Sequence, residues 1–184
     1  MLLSPRAERN WEDLCLVLEE VLEDQSPRQL FALELGSGTG QHVIRFAQKM
    51  PFVTWQPSDI KEESMKSIME YIAATHVKNV LQPVHLDASA AWEQWAALSR
   101  NSCDVIIAIN LLQYSSFKTG VFTGAGQLLR QNGLLITYAV GTSSFPQNKM
   151  MSSCESEVQK ADIFPHFYKN VAGVCHQWHH HTQL

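Results

Sequence analysis

The stretch that decides the fold is Gln29-Leu-Phe-Ala-Leu-Glu-Leu-Gly-Ser-Gly-Thr-Gly-Gln-His42, in which three glycines at alternate positions cut off an apolar run. An apolar periodicity typical of a helix begins directly after Gly40. Glycines are needed where a backbone takes a positive φ or lets a ligand lie against it, and the next helix offers unpaired N–H groups at its start. The sequence therefore predicts a strand, a tight turn and a helix, with a ligand held at the turn.

The spacing of these glycines narrows the choice of ligand. A dinucleotide-binding fingerprint reads G-x-G-x-x-G, and Gln41 stands where its third glycine would be. No Gly-Lys-Ser/Thr follows to hold a phosphate. An NAD-binding oxidoreductase is therefore disfavoured.

The string Glu34-Leu-Gly-Ser-Gly-Thr-Gly40 resembles the first motif, E/D-x-G-x-G-x-G, of the class I S-adenosylmethionine (SAM) methyltransferases. In that family the glycine loop lies under the methionine part of SAM. The alternative is a glycine-rich turn required by fold geometry alone, because three glycines by themselves are a weak motif. The resemblance implies SAM as the cofactor, with these cofactor-binding residues in the motif: Glu34, Gly36, Ser37, Gly38 and Gly40.

Composition and charge indicate one globular domain that is not basic. The chain has 184 residues and a formal net charge of −4, so a broad nucleic-acid-binding face is disfavoured and a small molecule or a protein is the expected substrate. The four cysteines form no C-x-x-C pair, and no apolar run reaches membrane-spanning length. We therefore expect a soluble cytoplasmic or nuclear protein, most simply a monomer, with no membrane partner.

Apolar runs and helical stripes alternate along the chain. A stripe from Trp11 to Leu22 predicts an N-terminal helix, and Pro83 within the third run suggests a strand near the sheet edge. The most apolar run, Val105 to Ile109, is typical of a strand buried on both faces. Right-handed crossovers then predict an α/β fold with an open, doubly wound, mostly parallel sheet. The predicted strands cover residues 30–35, 52–56, 79–86, 104–109 and 134–138.

Two acids follow predicted strands. Asp59 lies nineteen residues after Gly40, where an acid can accept hydrogen bonds from both hydroxyls of an adenosine ribose. The alternative is an N-cap for the next helix, and the two roles can coexist. In class I methyltransferases an acid at the position of Asp87 commonly receives the adenine amino group. An N-cap for a helix carrying Trp92 and Trp95 is an equally good explanation of Asp87.

The loop after the fourth strand begins at Asn110. We expect that strand to flank the topological switch point, where open α/β sheets bind ligands, and in this family of folds the loop faces the transferred methyl group. Asn110 is therefore the candidate catalytic residue. Leu111 and Leu112 replace both prolines of the N/D-P-P-Y motif found in methyltransferases that act on adenine, so we do not predict a nucleic-acid base as the substrate.

Residues 7–138 resemble the methyltransferase-like protein 26 family. The match rests on the glycine motif and on the strings Ala7-Glu-Arg-Asn10, Thr54-Trp-Gln-Pro-Ser-Asp59 and His85-Leu-Asp87. The resemblance implies that Arg9 lies in a segment near the cofactor. There it could pair with Glu34 or with the SAM carboxylate; the alternative is an exposed charge at the start of a helix. The family usually carries a histidine where this chain has Gln113. Glutamine cannot act as a general base, so methyl transfer would depend mainly on alignment.

Residues 139–184 depart from the family pattern and suggest an alternative C-terminus. We expect a SAM-binding domain over 1–138 and a poorly ordered tail that lacks the usual final antiparallel strands, with the fifth strand as an exposed edge. Val171 to Trp178 is the one segment that suggests a replacement strand. The tail also carries Cys175 and a cluster of histidines, but without zinc-finger spacing we assign no metal site.

The leading functional prediction is a SAM-dependent methyltransferase of unknown substrate. The alternative is a truncated, non-catalytic protein that acts through binding or interaction. The intact cofactor half favours the enzyme, whereas Gln113 and the divergent tail favour the alternative.

Overall fold

The computed structural model describes residues 1–23, 28–112, 115–138, 166–171 and 174–179. Four helices alternate with strands through the first three quarters of the chain, and two strands follow. The helices are α1 (Pro5–Glu23), α2 (Gln41–Lys49), α3 (Glu62–Thr75) and α4 (Ser115–Leu128). The strands are β1 (Leu30–Leu35), β2 (Val53–Asp59), β3 (Val84–His85), β4 (Cys103–Ile109), β5 (Leu129–Tyr138), β6 (His166–Val171) and β7 (Val174–His179).

The strands form one sheet in the order β3-β2-β1-β4-β5-β6-β7. The first five strands pair in parallel. The chain moves outward from β1 to β3 on one side and then restarts next to β1 with β4, so the topological switch point lies between β1 and β4. The predicted doubly wound, mostly parallel α/β fold is therefore confirmed, and the glycine turn lies at the switch point.

The expectation that the sheet lacks its final antiparallel strands is wrong. β6 pairs antiparallel with β5 along Leu134–Thr137, and β7 pairs antiparallel with β6, so β5 is not an exposed edge. The predicted strand from Val171 to Trp178 joins the end of β6 to most of β7. Val171 and Val174 are paired across a two-residue link, Ala172-Gly173, which lies outside the described residues. A glycine in a short link is only a weak hairpin signal here, because Ala-Gly is not one of the favoured turn dipeptides, and the sequence interpretation missed it.

Two apolar clusters cover the two faces of the sheet because side chains alternate along each strand. Ala32 and Val105 face a cluster that includes the apolar stripes of α1 and α2, whereas Leu33 and Ile106 face a cluster that includes α4. Phe46 and Trp55 pack in the first cluster, with ring centroids 5.5 Å apart. Cys15 and Cys103 are buried free thiols. This packing fixes the position of the turn between β1 and α2.

Three local predictions differ from the structure in detail. The third strand is reduced to two residues and an isolated bridge between Val80 and Trp55, although its place at the sheet edge is confirmed. The predicted helix with both tryptophans is only a single 3-10 turn, Trp92–Gln94. The fifth strand, predicted over 134–138, begins earlier, at Leu129, and contains Asn132, which has a φ of 66° where the pairing with β4 shifts register.

Candidate cofactor site

The glycine turn after β1 has three left-handed residues. The φ angles of Gly36, Gly38 and Gly40 are 65°, 55° and 90°, a region that residues with a side chain rarely adopt. A Cβ on Gly40 would lie 2.8 Å from Cγ1 of Ile68, and a Cβ on Gly36 would lie 3.2 Å from Cδ1 of Leu111. A Cβ on Gly38 would have no neighbour within 4 Å. Close packing therefore disfavours a side chain at Gly40, whereas a Cβ on Gly36 would need only a small shift of Leu111 and the space over Gly38 is open.

Reciprocal hydrogen bonds fasten this turn to the end of β2. The backbone N–H of Ser37 donates to the carbonyl of Ser58 at 2.8 Å, and the N–H of Ser58 donates to Oγ of Ser37 at 3.1 Å. Oγ of Ser58 donates to the carbonyl oxygen of Glu34 at 2.7 Å. The sequence interpretation missed the role of Ser58, because a bond between residues so far apart leaves no local pattern.

Asp59 lies next to this network and is buried. Its Oδ2 accepts a hydrogen bond from the N–H of Gly38, and its Oδ1 accepts one from the N–H of Lys61, each at 2.9 Å. The N-cap position of α3 is occupied by Lys61 and not by Asp59. Each carboxylate oxygen has two lone pairs, so Asp59 can brace the turn and still accept hydrogen bonds from a ligand.

Glu34 is the most unusual side chain of the site. It is 2% exposed, and among the described residues its Oε2 has no hydrogen-bond partner. Burial raises the pKa of Glu34 to about 7; the hydrogen bond with Ser37 opposes the rise, and the charge of Asp59 adds to it. A buried carboxyl oxygen without a partner is costly in free energy. This acid is therefore suited to accept a hydrogen bond from a positively charged group.

The structure places Asp87 and Asn110 at the carboxyl ends of β3 and β4. Oδ1 of Asp87 accepts hydrogen bonds from the N–H and Oγ of Ser89, at 2.8 and 2.6 Å, and these bonds lower the pKa of Asp87. Asn110 has a φ of 54°, and its N–H donates to the carbonyl oxygen of Tyr138. Leu111, next in the chain, contacts Gly36. Leu111, in the loop after β4, therefore lies against the glycine turn, while Gln113 and Tyr114 lie outside the described residues.

The N-terminal motif contacts α2 through side chains other than Arg9. Of the two alternatives for Arg9, the structure has the exposed side chain. Glu8 forms a salt bridge with Arg45 at 2.7 Å and accepts a hydrogen bond from Gln41. These contacts give the Ala7-to-Asn10 string a packing role on α2 that does not involve Arg9.

His42 is the second contact of this motif. With the amide of Asn10 assigned from its neighbours, its nitrogen donates to Nε2 of His42 at 2.9 Å and to the carbonyl oxygen of Arg6. Burial lowers the pKa of His42 to about 4; Arg45 lowers it further, and Glu8 opposes the shift. His42 is therefore neutral at physiological pH and packs against Phe46, with ring centroids 5.6 Å apart.

A separate charged cluster lies at the opposite, amino edge of the sheet. Asp104 is buried and binds Arg28, Arg130 at 3.3 Å, and the N–H of Phe31 at 2.8 Å. The larger of two cavities here has a volume of about 420 Å³ and is lined in part by Phe31 and Arg130. These groups join β1, β4 and β5 and are remote from the glycine turn.

Within the described segments, no group of three or more His, Cys, Asp or Glu side chains is arranged to hold a metal ion. None of the helices in those segments is both long and apolar enough to cross a membrane. His180 and His181 lie outside the described residues.

A comparison with known protein families assigns the chain to one of them. The sequence profile of a family described as "Protein of unknown function (DUF938)" matches residues 1–153. The chain belongs to the DUF938 family. This match extends beyond both ends of the predicted resemblance over 7–138, and the assignment to the methyltransferase-like protein 26 family stays a prediction.

Solved structures share the fold of this DUF938 chain. The DszA carbon methyltransferase matches with a TM-score of 0.63 and 16% identity, over 77% of this chain and 38% of its own. A coclaurine N-methyltransferase bound to N-methylheliamine and SAH matches with a TM-score of 0.57 and 18% identity, over 70% and 35%. The [4+2]-cyclase SpnF matches with a TM-score of 0.57 and 18% identity, over 69% and 44%. The chain thus spans less than half the length of these proteins, and the likeness shows the fold.

Proposed function

We propose that this protein binds SAM and transfers its methyl group to a small molecule or a protein. The observation that carries the proposal is the buried Oε2 of Glu34, which has no hydrogen-bond partner among the described residues. It lies beside the glycine turn, and of the three glycines in that turn only Gly38 has open space above it. A site of this kind suits a ligand that combines a cationic group with an atom chain thin enough to lie on a backbone. The methionine part of SAM has both features.

Each residue around the turn would contact a different part of SAM. Glu34 would accept a hydrogen bond from the ammonium group, and the backbone at Gly38 would lie against the methionine chain. Asp59 would accept hydrogen bonds from the ribose hydroxyls through lone pairs that Gly38 and Lys61 leave free. Asp87 would receive the adenine amino group through the carboxylate oxygen that Ser89 does not use. Arg9 would act only if it turned toward the SAM carboxylate.

When bound, SAM supplies an electrophilic methyl group on a sulfonium. Asn110 lies at the end of β4, beside the glycine turn, and would orient the acceptor. An amide does not take a proton at neutral pH, so Asn110 would contribute alignment and not general-base catalysis. Leu111 packs on Gly36 and would keep water away from this side of the turn.

A non-catalytic binding protein is the second candidate function. It is favoured by the glutamine at position 113, where the family that the chain resembles usually carries a histidine. The match to a [4+2]-cyclase also supports considering a function other than methyl transfer, because proteins of one fold carry different activities. The monomeric state and the cytoplasmic or nuclear location stay predictions.

Calorimetric titration with SAM and with S-adenosylhomocysteine (SAH) tests the proposal. We expect micromolar binding by the wild-type chain and loss of binding in Asp59→Ala. Asp13→Ala, which removes an exposed acid on α1, is the matched control and should bind like the wild type. If the folded wild-type protein binds neither compound, the enzyme proposal fails and the interaction protein is favoured. If it binds SAH but transfers no methyl group to any acceptor tried, the binding function alone stands.

A further inference from the structure

The segment before α1 lies along α3 and reaches the glycine turn. We call residues 2–4 the strap. The N–H of Leu2 donates to Oγ of Ser67 at 2.7 Å, and the hydroxyl of Tyr71 donates to the carbonyl oxygen of Leu2 at 2.9 Å. The N–H of Ser4 donates to Oε1 of Gln41. The strap is therefore attached to α3 and to the first residue of α2.

Two of the three side chains that hold the strap, Ser67 and Gln41, also hold the glycine turn. Oγ of Ser67 donates to the carbonyl oxygen of Thr39 at 2.9 Å, and Oγ1 of Thr39 donates to Oε1 of Gln41 at 2.9 Å. Thr39 lies between Gly38 and Gly40. Ser67 and Gln41 are both buried, at 2% and 3% exposure, and without the strap donors Oγ of Ser67 and Oε1 of Gln41 would keep only their bonds to Thr39.

Hydrogen bonds, rather than apolar packing, attach the strap. The side chains of Leu2 and Leu3 are 45% and 75% exposed, so they bury little apolar surface and contribute little hydrophobic free energy. A segment attached by a few hydrogen bonds opens at a low free-energy cost. When the strap opens, Ser67 loses the donor Leu2, Gln41 loses the donor Ser4, and the contacts of both side chains with Thr39 become free to rearrange.

We propose that Ser67 and Gln41 are positioning residues that couple the strap to the glycine turn, so that release of the strap weakens cofactor binding. The expected effect on SAM binding rests on the proposed function, whereas the coupling between the strap and the glycine turn does not. The ligand contacts neither residue in the proposal. Each acts through Thr39 by fixing the peptide groups on either side of it. Cofactor binding and strap attachment then stabilise each other, because coupling between two sites is reciprocal.

A matched pair of substitutions at Ser4 isolates the strap. Ser4→Pro removes the N–H that donates to Gln41, whereas Ser4→Ala keeps it. Both variants remove the Oγ that accepts from the N–H of Ala7 at the start of α1, so they differ in the strap N–H and in the φ angle that proline fixes. Ser67→Ala removes the second bridge, and Leu3→Ala, which trims an exposed side chain, is a further control.

The readouts are SAH affinity and backbone hydrogen exchange without ligand. One net hydrogen bond corresponds to about a threefold to tenfold change in affinity. We expect Ser4→Pro and Ser67→Ala to weaken SAH binding by about that factor and to speed amide exchange at residues 38–42, but not in β4. Ser4→Ala and Leu3→Ala should match the wild type in both measurements. Far-ultraviolet circular dichroism verifies that each variant is folded.

The outcomes separate the two proposals. Wild-type affinity together with unchanged exchange at residues 38–42 in both Ser4→Pro and Ser67→Ala would overturn the strap coupling and leave the cofactor proposal standing. A wild-type protein that binds neither SAM nor SAH would defeat the cofactor proposal. In that case the exchange rates still decide the coupling: faster exchange at the turn in both variants supports it, and unchanged exchange refutes it.

Discussion

The carboxylate of Asp59 accepts a hydrogen bond from the backbone N–H of Gly38, with 2.9 Å between the two atoms. This bond joins the end of β2 to the open position of the glycine turn. The same carboxylate holds the start of the segment leading to α3 through Lys61. Asp59 therefore shapes the turn before any ligand arrives, and a substitution there changes both stability and ligand contacts.

Substitution of Asp59 should separate these two contributions. In Asp59→Ala both backbone N–H groups lose their acceptor, so we expect a loss of about 3–6 kcal/mol in the free energy of unfolding, at about 1.5–3 kcal/mol per bond to a charged group. Asp59→Asn keeps one acceptor oxygen and should lose about half as much. Urea denaturation measures both. A loss in Asp59→Ala as small as that of Asp13→Ala would show that the bonds to Gly38 and Lys61 contribute little.

Alanine substitutions at two glycines of the turn should differ in whether they mainly affect stability or ligand binding. Gly40→Ala combines a φ of 90° with a Cβ 2.8 Å from Ile68, so it should destabilise the fold by about 3 kcal/mol. Gly38→Ala meets no protein atom and carries only the cost of its positive φ, about 1 kcal/mol. Its methyl group would occupy the open space over the turn, so its main effect should be loss of SAH binding.

Gly126→Ala is the control for the glycine pair. Gly126 lies inside α4, and an added Cβ has no neighbour within 4 Å. Alanine should therefore stabilise the helix by about 0.5–1 kcal/mol and leave SAH affinity unchanged. Thermal denaturation and calorimetry of the three variants measure both effects. If Gly38→Ala bound SAH as tightly as Gly126→Ala, the ligand would not lie over Gly38.

The sequence predicts the centre of the fold better than its margins, for physical reasons. The turn from Gly36 to Gly40 is predictable because few residues other than glycine adopt its backbone angles, so the requirement is written in adjacent residues. The β6–β7 hairpin was missed because the apolar content of residues 171–178 suggests one strand. Only the glycine at position 173 signals the two-residue link.

The candidate site, like the fold, is only partly predictable from the sequence. Glu34, Asp59 and Asn110 follow or end strands, and parallel strands bring their carboxyl ends to one edge, so topology alone predicts that they approach each other. Ser58 and Ser67 act through hydrogen bonds to residues 21 to 28 positions away, and such pairs leave no local pattern. The one available signal for Ser67 was its place, with Ser64, on the buried face of α3 next to Ile68.

Glu34 should make the protein less stable as the pH rises. Its pKa of about 7 in the folded chain exceeds the ordinary 4.5, so folding takes up a proton between these values. Its contribution is complete below about pH 4.5 and is lost as the pH rises through about 7. The difference corresponds to about 3 kcal/mol. Glu34→Gln should therefore gain stability over the wild type from pH 5 to pH 8, as measured by urea denaturation. A constant difference across this range would contradict the pKa.

His42 should show the opposite dependence. Its pKa of about 4 in the folded chain lies below the ordinary 6.5, so its contribution is complete above about pH 6.5 and is lost as the pH falls through about 4. A protonated imidazole would also face the amide nitrogen of Asn10. Between about pH 4.5 and 6.5 the two slopes oppose each other, since Glu34 gains stability on acidification while His42 loses it.

The wild-type stability should consequently vary little over that interval, whereas each single variant exposes the slope of the other group. On acidification from pH 6.5 to 4.5, Glu34→Gln should lose stability steeply and His42→Gln should gain it, with each change approaching 3 kcal/mol. Unfolding curves at pH 4.5, 5.5 and 6.5 for the three proteins test both signs together. Slopes of the same sign in the two variants would show that at least one of these buried groups titrates at its ordinary pKa.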